Sequence, residues 1–409
     1  MAFKDLAYLS RSQGLELNGA AATATVAALI AVLFAGSTVL TPLYIVYQQQ
    51  FGFSQITLTL IYAVYVIGNL AALLLFGGIS DVMGRRRIAI AALAAGVISA
   101  LIFLFAQSTL WLYVGRILSG FAIGVGAGTG TAWLTELTAE GGRSRAAVIA
   151  TSANFIGLGV GAFLAGIMAE YASWPLHLSF VVYLLVLLVV SALVWFTRET
   201  IVHPAGSIAS ISLRPRLSVP RDMRAQFVAP AVTGFGAMAL VGFYAALMPS
   251  ILAHQLHETN HAVAGLLFFE LAVVVAGIIV ATQRLSSRTA MQSALWLLIP
   301  GLVLIVSAQI AGSMLLMISA TALCGASAGL GYRGSLQVVN QIAPEDRRAE
   351  VVSAYFLCCF SGNALPVIGI GVISTFAGLT VASTLFATMI IAFAVVALVF
   401  NAKYQSRGA

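Results

Sequence analysis

Three ionisable side chains stand inside long apolar runs of this 409-residue chain, where a charge is costly unless it has work to do. Glu270, in Leu266-Leu267-Phe268-Phe269-Glu270-Leu271-Ala272, is the only acid placed well inside such a run. A carboxyl among Phe and Leu can load a proton and release it to a wetter surrounding, so Glu270 is the proton-carrier candidate. Arg116 and Arg333 are its candidate counter-charges or ligands for a substrate. The alternative is a static ion pair that orients helices, and Arg333 has a further one, snorkelling outward. Tyr44, Asn154, Tyr244 and Asn363, with Thr41, Tyr62, Tyr65 and Asn69, are candidates for a substrate-cavity wall; each can instead make a helix–helix hydrogen bond.

Three strings resemble enzyme motifs. His257-Glu258-Thr259-Asn260-His261 fits H-E-x-x-H, in which two histidines on one helical face hold Zn²⁺ and the glutamate activates water. A membrane metalloprotease is therefore a rival reading, although the string falls in a short turn with no evident third ligand beyond the imidazole that His254, one turn earlier, could offer. Gly325-Ala326-Ser327-Ala328-Gly329 fits G-x-S-x-G, and Gly329-Leu330-Gly331-Tyr332-Arg333-Gly334 fits G-x-G-x-x-G. Both motifs need a preceding strand, and both strings lie in an apolar helix, so their glycines read as packing positions.

The elements that must position these residues follow from composition. With 61% hydrophobic and 8% charged residues and a mean hydropathy of +1.02, the chain has too little polar surface for a soluble globule. A formal charge of +7 would suit nucleic acid only if gathered on one polar surface, and here it is scattered between apolar runs. Apolar stretches long enough to cross about 30 Å of hydrocarbon predict helices near 22–47, 56–78, 88–106, 109–137, 146–170 and 176–197. A second set is predicted near 226–253, 262–283, 290–308, 312–340, 349–376 and 379–402. Residues 1–21 read as a tail before an uncleaved first span, 198–225 as a Ser-, Pro- and Arg-containing linker between two six-helix bundles (22–197 and 226–402), and 403–409 as a second tail. Of the 20 Lys and Arg, 18 fall on the tails or on loops after even-numbered helices, including Lys4, Arg11, Arg214, Arg216 and Arg407. The positive-inside rule then puts both termini in the cytoplasm. A shift of 203 residues carries Arg145 onto Arg348, Gly126 onto Gly329, Gly159 onto Gly362 and Gly166 onto Gly369 without a gap, so the halves are parallel repeats. The three cysteines, Cys324, Cys358 and Cys359, lie in apolar segments and read as buried thiols.

Between the second and third helices stands Gly77-Gly78-Ile79-Ser80-Asp81-Val82-Met83-Gly84-Arg85-Arg86-Arg87, which resembles the G-G-x-x-D-R-x-G-R-R signature of the major facilitator superfamily, departing at Val82. Gly115-Arg116-Ile117-Leu118-Ser119-Gly120 is similar to that family's R-x-x-x-G element associated with proton coupling, and Asn154, Gly157, Gly159, Gly161 and Gly166 resemble the fifth-helix motif of its drug–proton antiporters, with Ala162 where a proline is expected. The resemblance implies an all-α membrane protein of twelve transmembrane helices and alternating access about a midplane site. It implies a conformational latch at Gly77, Gly78, Asp81, Gly84 and Arg85, in which glycines allow close helix approach and Asp81 pairs with Arg or accepts from a neighbouring helix N-terminus. The resulting expectation is a bacterial inner-membrane transporter, monomeric and without cofactor, coupling protons through Glu270 and Arg116 to export of a small amphipathic molecule. Its partners are substrate, protons and membrane lipids, with no nucleic acid. The rival transport reading is uptake of a small organic anion held by Arg116 and Arg333.

Overall fold

Lipid offers no water to bond an open backbone, so each apolar run closes its hydrogen bonds on itself as an α-helix. The computed structural model describes residues 16–138, 142–201 and 217–405. Lys4, Arg11, Arg214, Arg216, Arg407 and the middle of the linker lie outside the described residues. Among the described residues twelve helices are long and apolar enough to span a bilayer. Gly19–Thr38, Gln55–Phe76, Arg85–Leu104, Thr109–Leu137, Arg143–Tyr171 and Pro175–Trp195 form one bundle. Arg224–Gln255, His261–Ala281, Ser287–Ala311, Met314–Ile342, Arg348–Ala377 and Leu379–Gln405 form the other.

The first span departs from expectation. A helix over 22–47 was predicted as one piece, but it stops at Thr38 and resumes as Tyr44–Phe51. Pro42 has no N–H to donate, and the chain between is carried by tight bonds such as Thr41 N–H to Thr38 O (2.9 Å) and Leu43 N–H to Leu40 O (3.1 Å). Prolines elsewhere are absorbed: Pro230 and Pro249 lie inside the seventh span and Pro366 inside the eleventh.

Small residues set the spacing. A Cβ on Gly120 would lie 1.9 Å from Tyr65 O, and one on Gly68 2.0 Å from Ile117 O, so the second and fourth spans touch backbone to backbone. Gly157 and Gly161 bring the fifth span onto Ala31 and Ala35 of the first, and Gly242 and Gly362 join the seventh and eleventh. The bundles meet along two seams, second span on eleventh and fifth on eighth. At the fifth–eighth seam Gly166 sits on His261 O and Gly265 on Ala162 O. The outer faces carry exposed Leu188, Val189, Trp296 and Val399, the surface a lipid-embedded protein presents.

Candidate functional site

A cavity of about 470 Å³ lies between the bundles, walled by both. Phe34, Ile123, Leu158, Met238, Phe268 and Phe356 make most of it apolar; Asn69, Asn154, Asn363, Thr131 and Thr151 contribute polar groups. Its walls run from mid-span to Thr135, Ala147 and Leu336, near the helix ends that carry the loops after even-numbered spans. That end is termed the linker face. On the opposite, far face the bundles close: Gln55 Nε2 donates to Ser250 (3.4 Å), and the His261 N–H and ring Nδ1 both meet Glu170 Oε2 at 2.9 Å. The bundles are thus joined at the far face, and the cavity walls extend toward the linker face.

Above its mid-span roof sits Arg116, fully buried. The guanidinium donates to Ser37 O and to the Tyr44 hydroxyl. It also lies 5.4, 5.8 and 5.9 Å from the ring centres of Tyr44, Tyr62 and Tyr65, a cation–π cage. No carboxylate pairs with it among the described residues. Its Nε, Thr41 Oγ1 and Asn69 Nδ2 are buried with no hydrogen-bond partner there. Asn363 ties this cage to the other bundle: its Oδ1 accepts from Tyr62 (2.9 Å) and Tyr65 (2.7 Å), and its Nδ2 donates to Met238 O (3.2 Å).

A second polar cluster occupies the linker face of the first bundle. Arg85 is buried and donates to Ser80 Oγ (2.6 Å) and Glu136 Oε1 (2.7 Å), with Asp81 in an i,i+4 ion pair. The open N-terminus of the third span is not taken by Asp81. Glu199, from just after the sixth span, accepts from Arg85 N–H and Arg86 N–H at 3.0 Å each. Gly84 precedes them at φ +98°, where its missing Cβ leaves room for the Glu199 carboxylate. Gly77 and Gly78 do not approach another helix as expected; Gly78 opens the short helix Ile79–Met83. Every partner in this cluster belongs to one bundle, so the contacts fasten the start of the linker to it and do not bridge the two.

A sequence profile described as Major Facilitator Superfamily matches residues 26–367. The chain belongs to that superfamily. Among curated relatives of this superfamily member, the cephamycin export protein CmcT of Amycolatopsis lactamdurans is 34% identical over 125 residues, 30% of this chain and 26% of that protein. An uncharacterized transporter of Rickettsia felis (strain ATCC VR-1525 / URRWXCal2) is 32% identical over 132 residues, 32% of this chain and 31% of the relative. The chain thus matches less than a third of either relative's length. Among solved structures, the human organic anion transporter MFSD10 (TETRAN) superposes with a TM-score of 0.67 at 17% identity, covering 92% of this chain and 99% of that one, a likeness of fold.

Within this superfamily fold the remaining sequence expectations fall in distinct places. Asn154 and Asn363 line the cavity; Tyr44 lies behind its roof under Arg116, and Tyr244 is buried in the second bundle, bonded to Thr321 (3.0 Å). Arg333 does not reach the cavity. Its guanidinium donates to Gln283 O (2.9 Å), Leu285 O (3.0 Å) and Thr282 Oγ1 (3.4 Å), so carbonyls of the loop after the eighth span hold it at the linker face. Glu270 is also turned from the cavity. Phe268 lines it, and two residues on a helix turn about 200°, which puts Glu270 on the side of exposed Leu266, Val273 and Val280. Glu270 makes no hydrogen bond or ion pair among the described residues, though it is within electrostatic reach of Tyr244. The H-E-x-x-H string is not one helical face: His257 has φ +55°, Glu258 accepts from Asn260 N–H (3.0 Å), and His261 begins the eighth span. No three His, Cys, Asp or Glu gather in a metal-binding group among the described residues. The fold is one of transporters, not of enzymes. Glu136 and Glu199 complete the Arg85 cluster and are not singled out in the sequence; their signal is position, one in the last turn of the fourth span and one just beyond the sixth, both on the face that carries the arginines.

Proposed function

We propose that this superfamily member is a secondary active exporter of a small amphipathic molecule, working by alternating access in a bacterial inner membrane as a monomer. The observation that carries the reading is the cavity between the bundles, apolar with few polar groups, whose walls extend toward the linker face while the Glu170–His261 and Gln55–Ser250 contacts join the bundles at the far face. The bias of Lys and Arg to that face supports placing it, with both termini, in the cytoplasm. Cargo would then be taken from the cytoplasm or inner leaflet and released after the far seal opens. The printed name of the Amycolatopsis relative, an export protein, agrees in direction.

Protons are proposed to drive the cycle through Glu270, the one acid at mid-span. Its neighbour Phe269 stacks on Phe163 of the other bundle (5.1 Å between ring centres), so a change of charge beside it acts on the fifth–eighth seam. The alternative, uptake of an organic anion held by two arginines, keeps only Arg116 near the cavity.

The test uses everted membrane vesicles with an acidified lumen and a panel of fluorescent amphiphiles. Wild type should accumulate at least one of them against its gradient, and Ala127→Trp, which fills the cavity, should not. Accumulation only in the opposite orientation would sink the export reading.

A further inference from the structure

We infer that the cargo carries a negative group, an organic carboxylate or its equivalent on an apolar body, and that the Arg116 roof is its recognition site. This rests on the export reading above and deepens it by naming the substrate class.

The charge inventory points one way. No Asp, Glu, Lys, Arg or His is among the residues that wall the cavity, and Arg116 lies directly behind its roof, 5.8 and 5.9 Å from the ring centres of the wall residues Tyr62 and Tyr65. That charge is fully buried, and no carboxylate among the described residues neutralises it. A lone buried cation is costly, and an anion brought to the roof supplies the missing counter-charge. A cationic amphiphile at the same place would be repelled.

The hydrogen-bond inventory agrees. Ser37 O and the Tyr44 hydroxyl take two nitrogens of Arg116, which is enough to tie the fourth span to the first. The remaining Nε–H and the Asn69 Nδ2 group are donors, both buried and both unanswered among the described residues. Asn69 itself lines the cavity. The Tyr62 and Tyr65 hydroxyls, also at the wall, are donors too, spent on a neutral amide oxygen of Asn363. An anion accepts where that amide now accepts, and charge-assisted bonds are the stronger kind. Below the roof Phe34, Leu158, Met238 and Phe268 supply the apolar wall for the rest of the molecule.

The full chain in lipid nanodiscs is titrated with naphthoate, naphthamide and naphthylmethylamine, which share an apolar body and differ in charge. Naphthoate should bind about tenfold or more tighter than naphthamide, the gain of one hydrogen bond to a charged group, with the amine weakest. Arg116→Gln should bring acid and amide together without weakening the amide, and Arg116→Lys should keep the order. Equal binding of acid and amide, preference for the amine, or an unchanged preference in Arg116→Gln overturns the inference, as does loss of the naphthoate advantage in chloride, which would mark a simple inorganic-anion site. If Arg116→Gln does not fold, the wild-type order decides alone. If the acid has no advantage but Ala127→Trp abolishes all three, the export reading stands and this inference falls; if Ala127→Trp leaves binding intact, the cavity is not the site and both fall.

Discussion

Glu270 and Arg333 mark where reading a residue from sequence stops. Both were found by the cost of a charge within an apolar run, which reports depth in the membrane. Depth does not say which way a side chain faces around its helix. A soluble helix betrays its buried face through a polar stripe opposite, but the eighth span, His261–Ala281, is apolar all round and offers no such stripe. Arg116, Tyr62 and Tyr65 are each candidates by residue type, but that the two rings lie 5.8 and 5.9 Å from the guanidinium, and that no carboxylate among the described residues pairs with it, follows only from how the second and fourth spans pack. The outward position of Glu270 sharpens its test. Glu270→Gln should leave cargo binding unchanged, because the side chain is not in the cavity wall, yet abolish accumulation against a gradient while downhill efflux persists. Proteoliposome flux measured with and without an imposed pH difference checks this; full uphill transport by the variant removes Glu270 from the coupling mechanism.

The elements were more legible, because a span must cross the hydrocarbon and its apolar length fixes it. What sequence did not give was the break at Pro42 or the way each bundle pins its own loop. In the first bundle Glu136, near the end of the fourth span, holds Arg85 at the start of the third span, where the loop after the second ends; in the second, Arg333 of the tenth span holds carbonyls of the loop after the eighth. The same task is done with reversed polarity: the shift of 203 residues carries Arg85 onto Arg288, but Arg288 is exposed and Arg333 has its work. Arg333→Ala should therefore lower thermal stability, by about 1–3 kcal/mol for the loss of hydrogen bonds from a charged donor, and leave cargo affinity unchanged. A thermal melt and a binding titration on one sample separate the two; lost affinity without lost stability would return Arg333 to the substrate site. The glycine contacts give a second element-scale expectation. Gly120→Leu drives a side chain into the Tyr65 backbone, 1.9 Å from where its Cβ would sit, and overpacking of this kind costs about 1–3 kcal/mol or more. The second and fourth spans carry the roof tyrosines and Arg116, so this variant, unlike Arg333→Ala, should lose stability and anion preference together.

At the scale of the whole molecule, the roof and the seal are one structure. The Tyr62 and Tyr65 hydroxyls face the cavity and also hold the second span to Asn363 of the eleventh, so whatever draws them away weakens the bond between bundles. Nearer the far face the same seam continues through Gly371 against Thr59, and the other seam through Gly166, Gly265 and the Glu170–His261 pair. A ligand shifts a two-state equilibrium only by binding the states unequally. An anion that takes the tyrosine donors from Asn363 does so, because it loosens the far seal as it binds. Asn363→Leu imitates that loss without cargo. Interhelical hydrogen bonds in membranes are worth about 0.6 kcal/mol each on average, and two of those made by Asn363 cross between the bundles, so the change is about 1 kcal/mol, a shift of about five- to tenfold in population. Spin labels at Ser108 and Ala311, both exposed near the far face, should then report a longer-distance population in Asn363→Leu that wild type shows only with naphthoate. If the variant and wild type give the same distance distribution, the tyrosine–asparagine bridge is no part of the seal, and opening must be driven from the fifth–eighth seam alone.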